Sequence, residues 1–287
     1  MRFFRRMAGS GAGWKTFFFE VIIVVVGVII ALLANHFVTQ LNRRADMLEM
    51  MRGVELDLLT IVQVASERLA TEPCRLEQER HLLALLQRDD PFWQPEVSAA
   101  LNTGLDSQAV PSVLRMPIRN WPETAWRAAA SSDSVFALDR VQVTGLNDVF
   151  EIAADVNFTM DELREKKAQL SHLAIEGEIS AAQRRDAIAL LADISTLESL
   201  LVVNVTDARE AILNYHDFQT DATLTDYDYT AEDVEAALVE TIGNGRSIYG
   251  ECVQASEYAP FVDLTERLID IEIDRSVLEI PNEEAAE

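Results

Sequence analysis

The feature that most constrains this chain is a run of 22 residues, Phe17 to Val38, whose only acid is Glu20. At ~1.5 Å per residue an α-helix of that length spans about 33 Å, enough for a hydrocarbon core of ~30 Å. The flanks suit an anchor. Trp14 and Lys15 stand where an aromatic ring and a snorkelling amine favour the interface, and Arg43 and Arg44 bound the other end. A cleaved signal peptide is the rival reading, and the basic start suits it. The apolar stretch is too long for that, and the candidate cut at Leu32-Leu33-Ala34 lacks a small residue three back. A buried soluble helix is a second rival. Val21–Ala34 is apolar on every face, so a retained transmembrane helix is expected.

Orientation follows from the basic residues. Residues 1–16 carry Arg2, Arg5, Arg6 and Lys15 and no acid, against Arg43, Arg44 and Arg52 just after the run. The bias favours a cytoplasmic N-terminus. The expected layout is a basic N-terminus at 1–16, a membrane helix at 17–38, a helical, periplasmic domain at 39–280 and an acidic tail at 281–287. Within the membrane helix, Glu20, Gly27, Ala31 and Ala34 fall within about 60° of one another at ~100° per residue. Gly27-x-x-x-Ala31 is a small-xxx-small pair that lets two backbones approach, and Glu20 on the same stripe can meet a partner. The blander reading is a carboxylate near enough to the headgroups to reach them, on a helix where small residues are common. The expected partners are therefore the lipid bilayer and, through this stripe, a second copy or another membrane protein.

The string from Glu20-Val21 through Gly27-Val28 to Ala31-Leu32, followed by Asn35 and a basic helical stretch, resembles the start of a widespread uncharacterised family of bacterial single-pass inner-membrane proteins. Pro122-Glu-Thr-Ala-Trp126-Arg-Ala-Ala-Ala, with Leu138 and Val149-Phe150 beyond it, is similar to that family's tryptophan-containing central helix pair. The resemblance covers about half the chain. His36-Phe37 stand where the family often has a Trp or Tyr. It implies a topology and a helical periplasmic region, and no activity.

Charge narrows the function classes. Of a net −24, the part beyond residue 38 contributes 20 basic and 47 acidic residues, a net of −27. Such a surface repels phosphate backbones, so no nucleic-acid partner is expected. The two cysteines, Cys74 and Cys252, form no C-x-x-C and no zinc spacing. In an oxidising compartment they could pair across a long loop; otherwise they are two buried thiols.

The soluble part reads as helices. Leu41–Ala70 holds no proline, and Met47, Met51, Val54, Leu58, Ile61 and Ala65 form one apolar seam that must pack against another helix. Pro73 ends or restarts that helix, and a short helix follows near Arg75–Arg88. Residues 90–122 hold five of the eight prolines, which predicts an irregular connector with a short helix near Glu96–Asn102. Asn120-Trp-Pro-Glu123 reads as a helix start with Asn120 as cap. A helix is expected from about Leu138 to Glu176, with room for a break at Gly145. Ser180-Ala-Ala-Gln183 is a capping box opening a helix to about Phe218, with Leu190, Ile194, Leu197, Leu201, Val205, Ala208, Ile212 and Tyr215 as its seam. Thr230-Ala-Glu-Asp233 caps another, expected to close at Gly243-Asn-Gly245. Residues 264–280 fit strand or helix, and helix is preferred for want of a partner strand.

No motif carries chemistry. H-E-x-x-H, G-x-x-x-x-G-K-[ST], G-x-S-x-G and G-x-G-x-x-G are all absent from the sequence. His36, His81, His172 and His216 are scattered. Asp226, Asp228 and Thr230 begin like an EF-hand loop, but Ala231 and Ala237 stand where glycine and a bidentate glutamate are required. The expectation is an all-α chain, one membrane helix followed by a helical bundle, with no cofactor or metal. Its expected role is that of a membrane-anchored envelope scaffold or interaction protein. The alternative is a ligand-sensing ectodomain acting through a membrane partner, and an envelope hydrolase using scattered carboxylates is a third reading.

Overall fold

The apolar run and the seam that follows it belong to one helix. In the computed structural model, which describes residues 11–95, 112–115, 119–215 and 229–279, α1 extends without a break over Gly11–Ala70. From residue 17 to residue 46 every residue on it is exposed. From Met47 onward the seam residues Met47, Met51, Val54, Leu58, Ile61 and Ala65 are all buried. The fold is all-α among the described residues: α2 (Glu72–Leu86), α3 (Thr124–Ala130), α4 (Arg140–Gln169), α5 (Ala181–Asn214), α6 (Ala231–Tyr249) and α7 (Ala259–Ile269) complete it.

α4 and α5 form the hairpin against which α1 packs. Their register is antiparallel: Lys166 meets Asp193 and Lys167 meets Glu198 at one end, while Gly145 lies against Tyr215 at the other. α5 is itself long and apolar enough to cross a membrane. One face of it, however, packs in the core: Ala187, Leu191, Ile194, Leu201, Val205, Ala208 and Ile212 are buried, while Leu200 and Val203 are exposed. α4 does not break at Gly145. A Cβ there would stand 3.1 Å from the Tyr215 ring, so the glycine serves close packing inside a continuous helix.

Capping boxes open three of the helices. Ser180 and Gln183 form the expected capping box on α5, and Thr230 and Asp233 form one on α6. A third, Asp139 with Gln142, opens α4. Pro73 occupies the first turn of α2, where its missing N–H costs nothing.

Several expectations are corrected. The helix read from Asn120 begins at Thr124, with Glu123 as its N-cap. Asn157 of α4 reaches across and holds Trp121 by both backbone groups: its Oδ1 accepts from Trp121 N at 2.7 Å, and its Nδ2 donates to Trp121 O at 3.0 Å. That grip keeps Trp121 out of the helix. α5 stops at Asn214, short of Phe218. α6 runs through Gly243 and Gly245 to Tyr249 and stops at Gly250, whose φ of +106° favours glycine. Of residues 264–279, the α-helix ends at Ile269 and a 3-10 turn follows at Arg275–Leu278. Asp270 then adopts the left-handed conformation, and Ile273 is buried from an extended segment.

A short β-bridge was not anticipated. Phe92-Trp93 (β1) pairs antiparallel with Gly177-Glu178 (β2), tying the segment after α2 to the turn between α4 and α5. Trp93 Nε1 adds a hydrogen bond to Leu173 O at 2.7 Å. The helix expected near Glu96–Asn102, the acidic loop at 221–228 and the tail at 281–287 lie outside the described residues.

Candidate functional site

Three places merit attention: the stripe on the apolar part of α1, a cleft beside the cysteine pair, and a cluster of charges inside the bundle. On the stripe, Glu20, Gly27, Ala31 and Ala34 are all exposed. A Cβ at Gly27 would meet nothing within 4 Å. No described residue of this chain covers the stripe, so its small residues leave room for a second helix.

Cys74 lies in the first turn of α2, and Cys252 two residues after the Gly250 stop. The structure joins them in a disulfide with Cα atoms 5.3 Å apart. The approach is set by neighbouring bonds. Gln254 N donates to Ala70 O at 2.9 Å, and Gln78 Nε2 donates to Tyr249 O at 3.3 Å. These hold the segment after α6 against the junction of α1 and α2.

Beside the disulfide lies a cleft of about 500 Å³. Leu82, Leu85 and Trp93 give it an apolar floor, while Glu77, His81 and Glu251 supply polar edges. The Arg184 guanidinium lies 5.9 Å from the Trp93 ring centre, which stiffens the floor. Its volume suits a small molecule, and two carboxylates beside an imidazole and an indole favour a polar or cationic one. Among the described residues, no group of three or more His, Cys, Asp or Glu side chains converges as a metal site.

The charge cluster was not foreseen. Glu198 of α5 is fully buried between Arg68 of α1 and Lys167 of α4, themselves buried. The Lys167 Nζ is 2.7 Å from a Glu198 oxygen. These are charge contacts; neither Glu198 oxygen is in an aligned hydrogen bond. Burial pulls Arg68 down to about 10, and burial together with the Arg68 charge pulls Lys167 down to about 7. Next to them on α2, burial opposes the Arg75 charge, yet Glu72 and Glu79 outweigh it and hold Arg75 above its ordinary value. The Arg75 bonds are 2.5 and 2.7 Å to Glu72 and 2.6 Å to Glu79. A second buried acid, Glu55 on α1, has no hydrogen bond at either oxygen. Burial pushes it up to about 8 against the weaker pull of Arg52. Burial thus favours its protonated form.

The sequence held a signal for this cluster. Glu198 stands four residues after Ile194 and three before Leu201, in the buried register of α5, and Lys167 stands between Leu163 and Leu170 in that of α4. Charges at core positions are costly unless paired. These groups lock three helices together and present no reacting geometry.

Comparison of the chain with protein-family models, with curated proteins and with solved structures gives no match in any of the three.

Proposed function

We propose that this chain is a single-pass inner-membrane scaffold: an anchor helix that holds a periplasmic bundle beside the bilayer and recruits a second membrane helix. The observation that carries this reading is the continuity of α1. One helix supplies both the apolar run and the central seam of the bundle, so the soluble part has no free joint at the membrane surface. The uncovered stripe at Glu20, Gly27, Ala31 and Ala34 supports a partner within the bilayer. Two independent features favour the periplasm: the basic bias of residues 1–16, and a disulfide of the kind that persists in oxidising compartments. The resemblance to uncharacterised single-pass inner-membrane proteins agrees with this topology.

The test is crosslinking in membranes with the full-length chain. Ala31→Cys and Ala34→Cys should crosslink efficiently, to a second copy or to another membrane protein, while Val25→Cys and Ile29→Cys on the opposite side should not. Equal yields on both faces would end the stripe proposal.

The second reading, a ligand-sensing ectodomain, is favoured by one observation, the cleft of about 500 Å³ beside the disulfide. Such a sensor would act through the membrane partner that meets the stripe, by shifts of α1.

A further inference from the structure

Among the described residues outside the apolar run, the two most exposed large hydrophobic side chains are Phe136, at 83%, and Val141, at 74%. Both sit at one end of the bundle. Phe136 belongs to the 3-10 turn Asp133–Ala137, which packs on α1. Val141 is in the first turn of α4. A cleft of about 550 Å³ joins this turn to the top of the anchor, with Phe37, Leu41, Arg43 and Arg44 on one side and Phe136 and Gln142 on the other. Phe136 therefore lies level with residues 37–44 of α1.

That level can be converted into depth. Arg43 and Arg44 follow Val38, the end of the apolar run, by about 7–9 Å at ~1.5 Å per residue. The headgroup layer occupies roughly 5–8 Å on each side of the hydrocarbon. The two exposed arginines thus stand at the outer edge of the headgroup layer, within side-chain reach of the phosphates, and Phe37 and Leu41 stand at or just outside the acyl boundary. Asp133 and Asp139 border the same turn, while the exposed Arg140 beside Val141 adds a third cation to Arg43 and Arg44. An exposed aromatic ring continuous with the apolar anchor and flanked by two arginines is the pattern of an interfacial contact. Other exposed apolar side chains of the described bundle, such as Phe158 and Val203, are not joined to the anchor by this cleft.

We propose that the Asp133–Ala137 turn docks on the bilayer, with Phe136 and Val141 seated among the outer acyl segments and Arg43 and Arg44 on lipid phosphates. This rests on α1 being a membrane anchor. It adds that the bundle is fixed on the membrane at a second point and so has one orientation there.

The test uses full-length protein in vesicles of phosphatidylcholine and phosphatidylglycerol, with an environment-sensitive fluorophore on one introduced cysteine. Cys74 and Cys252 are bonded to each other and leave that thiol the target. A label at Phe136→Cys should shift to the blue and lose most of its emission to brominated lipids. A label at Ile175→Cys, which is 70% exposed at the far turn of the α4–α5 hairpin, should behave as in water. Ile30→Cys reports the anchor itself. Quenching at Ile30 with a water-like Phe136 label overturns the docking and leaves the anchor standing; a water-like Ile30 label overturns the anchor. Equal quenching at Phe136 and Ile175 also overturns the docking. Arg43→Gln with Arg44→Gln should weaken quenching at Phe136 and leave Ile30 unchanged. No change at Phe136 would refute the phosphate contact.

Discussion

Glu55→Gln should change the pH dependence of stability in a direction that can be worked out beforehand. Glu55 is 1% exposed, and its pKa rises from 4.5 to about 8 on folding. Between those values the folded chain holds a proton that the unfolded chain has released. The carboxyl's contribution is therefore least unfavourable below pH ~4.5 and worsens as pH rises through about 8. A rise from 4.5 to about 8, at ~1.4 kcal/mol per unit, sets a ceiling of about 5 kcal/mol. Relaxation and water entry bring the expected effect to roughly 2–4 kcal/mol. Glutamine is nearly isosteric and carries no charge at either limit. The free-energy difference between variant and wild type should be small at pH 5 and should favour the variant by roughly 2–4 kcal/mol at pH 9. Lys167 titrates in the opposite sense, its folded form losing a proton at about 7, but it is common to both proteins and cancels. Urea unfolding of the full-length protein in lipid nanodiscs, followed by fluorescence of the buried Trp93, Trp121 and Trp126, measures the difference. A difference that stays constant from pH 5 to pH 9 would refute the claim that Glu55 is buried uncharged.

The remaining predictions concern the bundle's cross-links. Reducing the disulfide, or replacing Cys74 and Cys252 by serine, should lower stability by about 5 kcal/mol for a separation of 178 residues; an unchanged unfolding midpoint in reductant would show that the bond is absent in solution. Glu198→Ala leaves Arg68 and Lys167 facing each other in the core and should cost about 3–5 kcal/mol. Replacing all three by apolar residues of similar size should recover most of that loss. If Glu198→Ala proved no more destabilising than the exposed control Glu210→Ala, this account would be sunk.

The parts of the fold legible in the sequence are those set by local signals. The seam from Met47 to Ala65 is a periodicity, and a helix must bury it. The boxes at Ser180/Gln183 and Thr230/Asp233 act within four residues, and both appear where expected. Asp139-x-x-Gln142 carries the same signal and could have placed the start of α4. The reading failed where distant residues decide. Asn120 has the chemistry of a cap, yet Asn157, far along the chain, takes the neighbouring backbone first. Gly243 and Gly245 look like a stop, yet α6 continues because its Leu238 and Ile242 are anchored in the core. The cysteine pairing depends on a distance that no spacing encodes. The small-residue stripe on α1 needed only the 3.6-residue period to be drawn, whereas the cleft and the charge cluster each gather side chains from three or more separate segments.

The unbroken course of α1 has a mechanical consequence. From Val38 to Ala70 the helix projects about 48 Å at ~1.5 Å per residue. A reorientation of ~20° within the bilayer, inside the range that spanning helices adopt, would sweep its far end through about 16 Å. The shaft is clamped there by the Arg68 cluster and, through Ala70, by the strand-like segment after the disulfide. With α1 as the proposed anchor, a change in lipid thickness would carry the far end of the bundle, the cleft included, on a lever arm that has no hinge to absorb the motion.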